Sequence, residues 1–395
     1  MTREGRADPY PLYNELHRMG AAVSAGEGLI LVNGHAAANR VLRDQSFGFD
    51  DTVVQGGENI GLAQHSSLTV INSSILERNA PDHGRVRSLI TSVFTARRVA
   101  ALQTAVEAAV GDLLDEMAEQ GADGSPVDFM DAFAFRLPVG VICELLGVPE
   151  RDRYRFRGLA SDLTVALEFI REPSELAGAD RAADELSEYF TELAAERLAH
   201  PQDDLVSDLV RIGAEDPRRL SGTELLGNLV LVLVAGFETT ANLLGNGLAQ
   251  LLRHPEVMAG LRSGAIARSG FTDEVLRFDS PVQLTMRSVL AEGRTVEELA
   301  APLGSSVVVL LGAANHDPAR YHRPELFDPT RTDSQPLSFG GGAHYCLGAQ
   351  LGRMESAVAI SALLERFPRL ARGGVPTRRD RLVLRGYETL PITVR

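Results

Sequence analysis

The residues with the clearest chemical potential in this 395-residue chain lie in one glycine-rich stretch, Phe339 to Ala349. It reads Phe-Gly-Gly-Gly-Ala-His-Tyr-Cys-Leu-Gly-Ala and contains Cys346, one of two cysteines. Glycines allow a tight turn and a close approach of the backbone to another group. Apolar residues at helical spacing follow, from Ala349 to Leu364. Because a helix N-terminus stabilises a thiolate, the stretch predicts a cysteine presented from a tight loop at the start of a helix.

A lone cysteine is usually a small buried hydrophobe, and we interpret Cys143 in this way. The other cysteine differs, because Phe339, Gly342, Cys346 and Gly348 form the pattern Phe-x-x-Gly-x-x-x-Cys-x-Gly. This pattern resembles the haem-ligand signature of the cytochromes P450, the haem-thiolate monooxygenases. The resemblance implies that Cys346 is the iron ligand of haem b and that Phe339 packs near the ring. It also implies that N–H groups around Gly348 temper the charge of the thiolate.

The longest helix candidate runs from Thr223 to Arg253. Ser221 and Glu224 have the spacing of a capping box at its start, and Pro255 cannot continue the helix beyond its end. Residues 229–234 are apolar all round the helix, which predicts that its middle is buried.

Polar residues interrupt this apolar helix in the segment Ala-Gly-Phe-Glu-Thr-Thr, which begins at Ala235. Buried carboxyl and hydroxyl groups cost free energy unless they are hydrogen-bonded. They could simply bond neighbouring carbonyls and bend the helix. The resemblance implies another role, in which Glu238 and Thr239 relay protons to iron-bound oxygen while Ala235 and Gly236 leave room for the haem.

Four basic side chains match positions that hold the haem propionates in the family. His83 and Arg87 are four residues apart and therefore share a helical face, although a surface pair is the simpler interpretation of that spacing alone. The resemblance adds Arg287 and His344 to the set. Arginine suits the role because its fork binds a carboxylate at two points.

Glu274 and Arg277 match the family's Glu-x-x-Arg pair, which implies a structural ion pair that supports the cysteine loop. The family commonly adds a third basic partner. The best alignment places Leu326 at that position, and Arg320 and Arg323 remain as possible substitutes.

The composition excludes several classes of function. A net charge of −14 disfavours nucleic acid as a partner. The sequence has no lysine, which excludes a Walker-A lysine and a lysine Schiff base. We find no disulfide framework, zinc-like cysteine spacing, signal peptide or membrane-spanning run. We therefore expect a cytoplasmic protein that does not bind a membrane.

No linker or internal repeat divides the sequence, so we expect one domain over residues 1–395. By resemblance it is mainly α with a minor β region, with the haem between the long central helix and the cysteine-ligand loop. The patterns predict strands at 29–32 and 307–311, a C-terminal sheet of 382–384 with 391–394, a long loop at 50–79, and further helices at 34–43, 98–120, 126–147, 150–172 and 181–200.

The resemblance implies insertion of one oxygen atom from O2 into a small organic substrate, by hydroxylation or epoxidation. Bacterial secondary metabolism is the expected setting. Oxidative coupling or peroxide-driven oxidation is an alternative with the same cofactor, and a non-catalytic haem-binding or sensor protein is an alternative of another class. Glu238 and Thr239 favour the first, because a proton relay serves O2 activation.

Electrons must come from outside the chain, and we expect a ferredoxin with its ferredoxin reductase. Because ferredoxins are acidic, docking requires a local basic patch. Arg85, Arg97, Arg98 and Arg353 are the candidates, with an ordinary solvated surface as the alternative.

The substrate itself cannot be identified from these patterns. Its determinants are expected near residues 55–79, 160–182 and 282–286. Val282, Gln283 and Leu284 are the individual candidates for the wall of the pocket.

Overall fold

The computed structural model describes residues 2–26, 28–50 and 64–394. It is 58% helix and 10% strand, which confirms the expectation of a mainly α protein with a minor β region.

The helices of the described residues are numbered in chain order. They are α1 (Arg3–Ala7), α2 (Tyr10–Met19), α3 (His35–Arg43), α4 (Ser66–Asn72), α5 (Asp82–Val93), α6 (Ala96–Gln120), α7 (Arg136–Leu146), α8 (Glu150–Leu163), α9 (Ala177–Ala199), α10 (Leu205–Glu215), α11 (Gly222–Arg253), α12 (Pro255–Ser263), α13 (Arg268–Phe278), α14 (Leu311–Ala314) and α15 (Ala349–Arg366).

The strands are short. They are β1 (Ala22–Ser24), β2 (Leu29–Val32), β3 (Phe47–Gly48), β4 (Val127–Asp128), β5 (Thr285–Val289), β6 (Arg294–Val296), β7 (Leu299–Ala301), β8 (Ser306–Val309), β9 (Ala371–Arg372), β10 (Thr377–Arg378), β11 (Tyr387–Thr389) and β12 (Pro391–Thr393). The largest sheet has the order β1-β2-β8-β5-β3. Within it β2 and β8 are parallel, with Leu29 opposite Ser306, whereas β5 and β8 are antiparallel.

The chain divides into two compact units. The first comprises residues 1–47, 103–137 and 239–395, and the second comprises residues 48–102 and 138–238. The first unit contains the sheets β4-β12-β9, β6-β7 and β10-β11. Its core around β2, β5 and β8 is built from aliphatic side chains such as Val32, Val289 and Val307. The second unit is helical, and α8 and α4 both pack against α9 within it.

Helix α11 is continuous from Gly222 to Arg253 and contains both the apolar run and the polar segment that follows it. It begins one residue before the predicted range of 223–253. The capping box is present, because Ser221 N–H donates to Glu224 Oε2 at 2.9 Å and Glu224 N–H donates to Ser221 Oγ at 3.3 Å. The helix is long and apolar enough to cross a membrane. However, 67% of its most apolar window is buried inside the protein, which is the usual state of a core helix.

Helix α4 lies where the sequence predicted only a loop over 50–79, and residues 51–63 of that loop lie outside the described residues. Its N-terminus is capped from a distant segment. Asp180 accepts hydrogen bonds from Ser67 N–H at 3.1 Å and Ser67 Oγ at 2.6 Å. A cap supplied from 113 positions away leaves no local signal, which explains the wrong prediction.

Two further segments, residues 126–147 and 205–215, differ from the sequence-based expectation. Helix α10 begins after Asp204, whose carboxylate accepts from Ser207 N–H at 2.7 Å, so a recognisable N-cap was present. The predicted helix over 126–147 is divided into β4, a π-helix at Met130–Ala134 and α7.

The predicted C-terminal sheet is also different. Strand β12 pairs with β4 and β9 rather than with residues 382–384. Leu384 instead forms an isolated bridge with Val282. Residues 382–383 form a bend rather than a strand. Strand β12 does form, but β4, one of its partners, lies more than 250 residues earlier in the sequence, so the local pattern could not indicate the pairing.

Candidate functional site

The cysteine loop has the tight geometry that its glycines predict. Gly340 and Gly342 have φ values of 70° and 63°, in the left-handed region that favours glycine. A Cβ at Gly342 would lie 2.3 Å from Leu42 O, so a side chain there would also clash with α3. The Cys346 N–H closes the loop by donating to Phe339 O at 2.9 Å. The Cys346 side chain is exposed, and α15 begins three residues later.

The neighbours of Cys346 in this loop are compatible with a flat aromatic cofactor. Phe339 is half-buried, with the Arg353 guanidinium 4.5 Å from its ring centroid. Arg353 is held in place by Asp273, whose Oδ1 accepts from Nε at 2.9 Å. Gly348 is the N-cap of α15, and a Cβ there would be 3.9 Å from Cys346 Sγ, an ordinary contact.

The middle of α11 has an uncovered strip within an otherwise buried helix. Phe237 and Glu238 are buried, whereas Ala235 is exposed and Gly236 and Thr239 are half-buried. Residues at these spacings share one helical face. A Cβ at Gly236 would be 2.8 Å from the end of Ile142, so this glycine also serves packing against α7. Ala235, Gly236 and Thr239 are thus small residues on a partly exposed stretch of an otherwise apolar, buried helix.

The four predicted carboxylate-binding residues are divided between the two units. His83 is buried and Arg87 half-buried on α5, in the second unit. In the first unit, Arg287 is buried on β5, and His344 is half-buried in a 3₁₀ turn, Gly342–His344. The Arg287 guanidinium is oriented by Nη1–H bonds to Thr285 Oγ1 at 2.9 Å and to Met286 O at 2.7 Å.

Haem b requires three kinds of group from a protein. The described residues offer an exposed thiol on a glycine loop, an uncovered strip of apolar helix and partly buried cations. Iron accepts a thiolate, the ring plane needs apolar walls, and its two propionates need basic partners. The side chains present therefore fit this cofactor. No group of three or more metal-ligating side chains occurs in the described part of the chain.

Glu274 and Arg277 form a buried bidentate pair, with Nη2–Oε1 and Nε–Oε2 distances of 2.7 and 2.8 Å. The third basic partner is Arg331, whose Nε lies 3.4 Å from Glu274 Oε1. Neither predicted substitute takes this place. Arg320 pairs with Asp333 and Arg323 with Glu325.

The segment around Leu326 contributes its backbone to this network instead of a side chain. Arg277 donates to the carbonyl oxygens of Leu326, Pro324 and Asn315 at 2.9 to 3.0 Å. The Asp328 N–H donates to Glu274 Oε1 at 2.8 Å. The pair thus fixes the irregular chain that precedes the cysteine loop.

The three predicted pocket residues have different environments. Gln283 is buried, and its side chain is used internally: Tyr13 Oη donates to its Oε1 and its Nε2 donates to Ser280 O, both at 2.8 Å. Leu284 is also buried, and Val282 is half-buried. Of the three, Val282 has the most surface left to contact a ligand.

A small apolar cavity of about 10 Å³ lies within the second unit, between α4, α11 and residues 163–167 at the end of α8 and just after it. All of its lining residues are aliphatic or glycine: Val70, Ile71, Leu163, Leu167, Gly227, Val230, Leu231 and Val234. Four of these residues fall in the segments 55–79 and 160–182, which the sequence analysis expects to carry substrate determinants. The other four lie on α11, three of them in the apolar run at 229–234.

Comparisons with known proteins agree on one family. A family model described as cytochrome P450 matches residues 170–264 and 270–386. The cytochrome P450 monooxygenase PikC of Streptomyces venezuelae is 37% identical over 98% of this chain and 91% of its own. The 6-deoxyerythronolide B hydroxylase of Saccharopolyspora erythraea is 35% identical over 98% and 96%. A crystal structure of P450BioI with a hexadec-9Z-enoic acid-ligated acyl carrier protein matches with a TM-score of 0.91, 32% identity and full coverage of both chains.

Glu355 is a buried carboxyl group that the sequence gave no reason to single out. It lies on α15, nine positions after the cysteine, and is 2% exposed. Burial raises its pKa to about 8, and its Oε2 has no hydrogen-bond partner among the described residues. Gly352, one turn earlier, lies against Thr240 of α11, and Ser356 bonds Thr272 of α13 at 3.1 Å. Glu355 is therefore a neutral acid at pH 7 within the helix packing of the first unit.

This pKa predicts a pH-dependent stability. A folded-state pKa near 8 lies above the value of 4.5 for a free glutamate, so the folded protein binds the extra proton between these two values. The folded state should then lose up to about 5 kcal/mol between about pH 5 and pH 8, relative to Glu355→Gln. Urea unfolding across this range measures the difference. Glu365→Gln, an exposed position on the same helix, should follow the wild-type profile. Parallel profiles for wild type and Glu355→Gln would show that Glu355 does not titrate in this way.

Proposed function

From the premise that this chain belongs to the cytochrome P450 family, we propose that the Cys346 thiolate holds its haem and that it oxygenates a small, largely apolar molecule in bacterial secondary metabolism. Family membership makes the chain a haem b-containing oxidoreductase that incorporates oxygen, with the expected cytochrome P450 fold. The alternative of a non-catalytic haem-binding protein is not retained, because its relatives are monooxygenases and hydroxylases.

Each proposed site residue has a stated task. Bound haem supplies the activation of dioxygen. The Cys346 thiolate is stabilised by its position before α15, whose N-terminal N–H groups and dipole favour negative charge. His83, Arg87, Arg287 and His344 bind the propionates through charge-assisted hydrogen bonds.

Glu238 and Thr239 are proposed to hold and pass protons on the uncovered strip of α11. The buried Glu238 carboxyl and the neighbouring Thr239 Oγ1 are groups that exchange protons through ordered water. Dioxygen activation consumes protons, whereas peroxide-driven oxidation and oxidative coupling depend less on such a relay. The acid–alcohol pair therefore favours oxygen insertion, by hydroxylation or epoxidation, over these alternatives.

The aliphatic character of the wall formed by α4 and α11 is the single observation that carries the proposal on substrate class, because the space enclosed there is only about 10 Å³. None of its lining side chains can hydrogen-bond. A charged group placed against such a wall would lose its hydration without compensation. An apolar ring or chain gains roughly 25 cal/mol for each Å² that it buries there.

A ligand screen tests this substrate class. Neutral apolar compounds and their carboxylate or ammonium analogues are titrated against the holoenzyme, and displacement of the distal water is followed from the Soret shift. We expect the neutral member of each pair to bind at least roughly tenfold tighter, since one buried unpaired charge costs more than 1.4 kcal/mol. Equal or tighter binding of the charged members would contradict the proposal.

We also propose a ferredoxin with its reductase as the electron donor, although the expected basic patch is smaller than the sequence indicated. Arg85 pairs with Glu224, Arg98 with Asp203 and Asp208, and Arg353 with Asp273. Arg97 is exposed and has no ion pair within residues 64–394.

Arg97 is therefore the arginine of this set whose charge remains available for steering. Arg97→Glu should slow ferredoxin-driven reduction several-fold at low salt, and the difference should shrink as salt screens the charge. Stopped-flow reduction kinetics provide the measurement. Arg218→Glu, at a position 90% exposed, carries the same change in charge and is the control. Equal rates for the two variants would remove Arg97 from the docking surface.

The proton relay has a matched control in the adjacent threonine. Thr239→Ala should keep the haem but release peroxide in place of product, because the hydroxyl that orders the proton-carrying water is lost. Thr240→Ala removes the same atoms at a buried neighbouring position and should remain coupled. The ratio of peroxide to reductant consumed is measured for both. Tight coupling in Thr239→Ala would refute the assignment.

The expected single domain, cytoplasmic location and absence of membrane binding stay part of this proposal. A net charge of −14 and the burial of α11 support them. Recovery of the protein in the membrane fraction of lysed cells, or two separate unfolding transitions, would contradict them.

A further inference from the structure

Helix α4 does not begin with a cap of its own. It spans the seven residues Ser66–Asn72, and among the described residues the side chain of His65, which precedes it, caps no N–H group of the helix. A helix this short is not stable alone, because its hydrogen bonds do not offset the cost of ordering the first turn. Its position therefore depends on the elements packed against it, and α9 is one of them within the second unit.

Asp180 of α9 binds the start of α4 through several groups. Its Oδ1 accepts from Ser67 N–H at 3.1 Å and from Ser67 Oγ at 2.6 Å. Its Oδ2 lies 2.8 Å from His65 Nδ1, and its backbone oxygen accepts from Ser66 Oγ at 3.1 Å. A carboxylate at a helix N-terminus also interacts favourably with the helix dipole.

The same contacts keep the Asp180 carboxyl group charged. Burial raises its pKa, but the hydrogen bonds from Ser67 and His65 outweigh burial and hold the pKa below its usual value. Asp180 is therefore an ionised cap at neutral pH, and its hold on α4 is stronger than that of a neutral acceptor.

The other end of α4 is fixed to α11. The Ile75 N–H donates to Asn228 Oδ1 at 3.0 Å. A Cβ at Gly227 would lie 2.9 Å from Val70 O and 3.0 Å from Ser73 Cβ, so a larger residue there would push α4 away from α11. The helix is thus held at both ends by residues that are remote in sequence.

The residues between these two anchors belong to the apolar wall. Val70 and Ile71 line the small cavity beside α11, and Asp180 does not. The cavity of about 10 Å³ has room for roughly one water molecule. A ring or branched chain needs more space, so part of the wall must shift to admit it. The Asp180 contacts resist a shift of α4.

We propose that Asp180 is a positioning residue that limits the size of the substrate, because it holds α4 on α9 and so keeps Val70 and Ile71 close to α11. The inference rests on the proposed function, in which this apolar wall contacts the substrate. Asp180 acts only through α4, since it does not itself line the cavity.

Asp180→Ala tests the proposal with two neutral probes that differ by one ring, ethylbenzene and 4-ethylbiphenyl. Each is titrated against the holoenzyme, and its Kd is obtained from the Soret shift. Loss of the cap lowers the cost of moving α4, which matters more for the larger probe. We expect the ratio of the ethylbenzene Kd to the 4-ethylbiphenyl Kd to rise roughly fivefold, the equivalent of about 1 kcal/mol.

Two variants at or near this position serve as controls. Asp184→Ala removes the same side chain from an exposed position one turn later on α9 and should keep the wild-type ratio. Asp180→Asn retains an acceptor oxygen for Ser67 and asparagine is a good N-cap, so it should stay closer to wild type than Asp180→Ala.

Two further measurements show whether Asp180 acts through α4. Amide hydrogen exchange of the holoenzyme should become faster at residues 66–75 in Asp180→Ala and stay unchanged in Asp184→Ala. Ser67→Ala removes the hydroxyl donor from the other side of the contact. In that background Asp180→Ala should change the Kd ratio less than it does in the wild-type protein, because the two residues share one interaction.

An unchanged Kd ratio in Asp180→Ala, or an equal change in Asp184→Ala, would overturn the proposal. A lower melting temperature with an unchanged ratio would also overturn it, since the cap would then only stabilise the fold. If charged analogues bind as tightly as neutral compounds in the ligand screen, the proposed substrate class is wrong. If that screen succeeds and only the Asp180 result is negative, the substrate class stands and α4 does not set the size limit.

Discussion

The burial of polar atoms in α11 is the constraint on which the rest of the structure depends. A helix of 32 residues through an apolar core must satisfy every polar side chain that it carries, since water is not available there. At its N-terminus Ser221 and Glu224 satisfy each other. Asn228 bonds the backbone of Ile75. Asn242 and Gln250 keep side-chain atoms without a hydrogen-bond partner among the described residues.

Buried charges follow the same rule in the first unit. Glu274 and Asp279 each face two arginines rather than one, with Arg277 and Arg331 on the first and Arg378 and Arg385 on the second. Removal of the carboxylate from such a cluster leaves two arginines without their acidic partner, and breaking a buried ion pair typically costs about 3–5 kcal/mol. These clusters tie helix α13 and the segment after it to distant parts of the chain. The Glu274 cluster fixes the chain at residues 315–331, which precedes the cysteine loop, and the Asp279 cluster fixes the C-terminal region around Arg378 and Arg385.

The sequence was most informative where a constraint is local. The capping box and apolar run of α11, and the glycines required by positive φ in the cysteine loop, are each readable within a few residues. It was least informative where the partner lies far away. The alignment placed the third basic partner at Leu326, but Arg331 supplies it. Leu326 contributes only its backbone carbonyl, which accepts a hydrogen bond from Arg277. Asp180 caps α4 from a remote helix, and Gln283 proved to be committed to Tyr13 inside the protein.

The thiolate ligand is the central claim, and the chain offers a clean internal comparison for it. Cys346 is exposed in the glycine loop, whereas Cys143 is buried with a pKa raised to about 12. The decisive measurement is the Soret band of the reduced carbon monoxide complex in Cys346→Ser and Cys143→Ala. The red-shifted band typical of a thiolate-bound haem should be present in wild type and Cys143→Ala and absent in Cys346→Ser. Persistence of that band in Cys346→Ser, or its absence from the wild-type protein, would contradict the account.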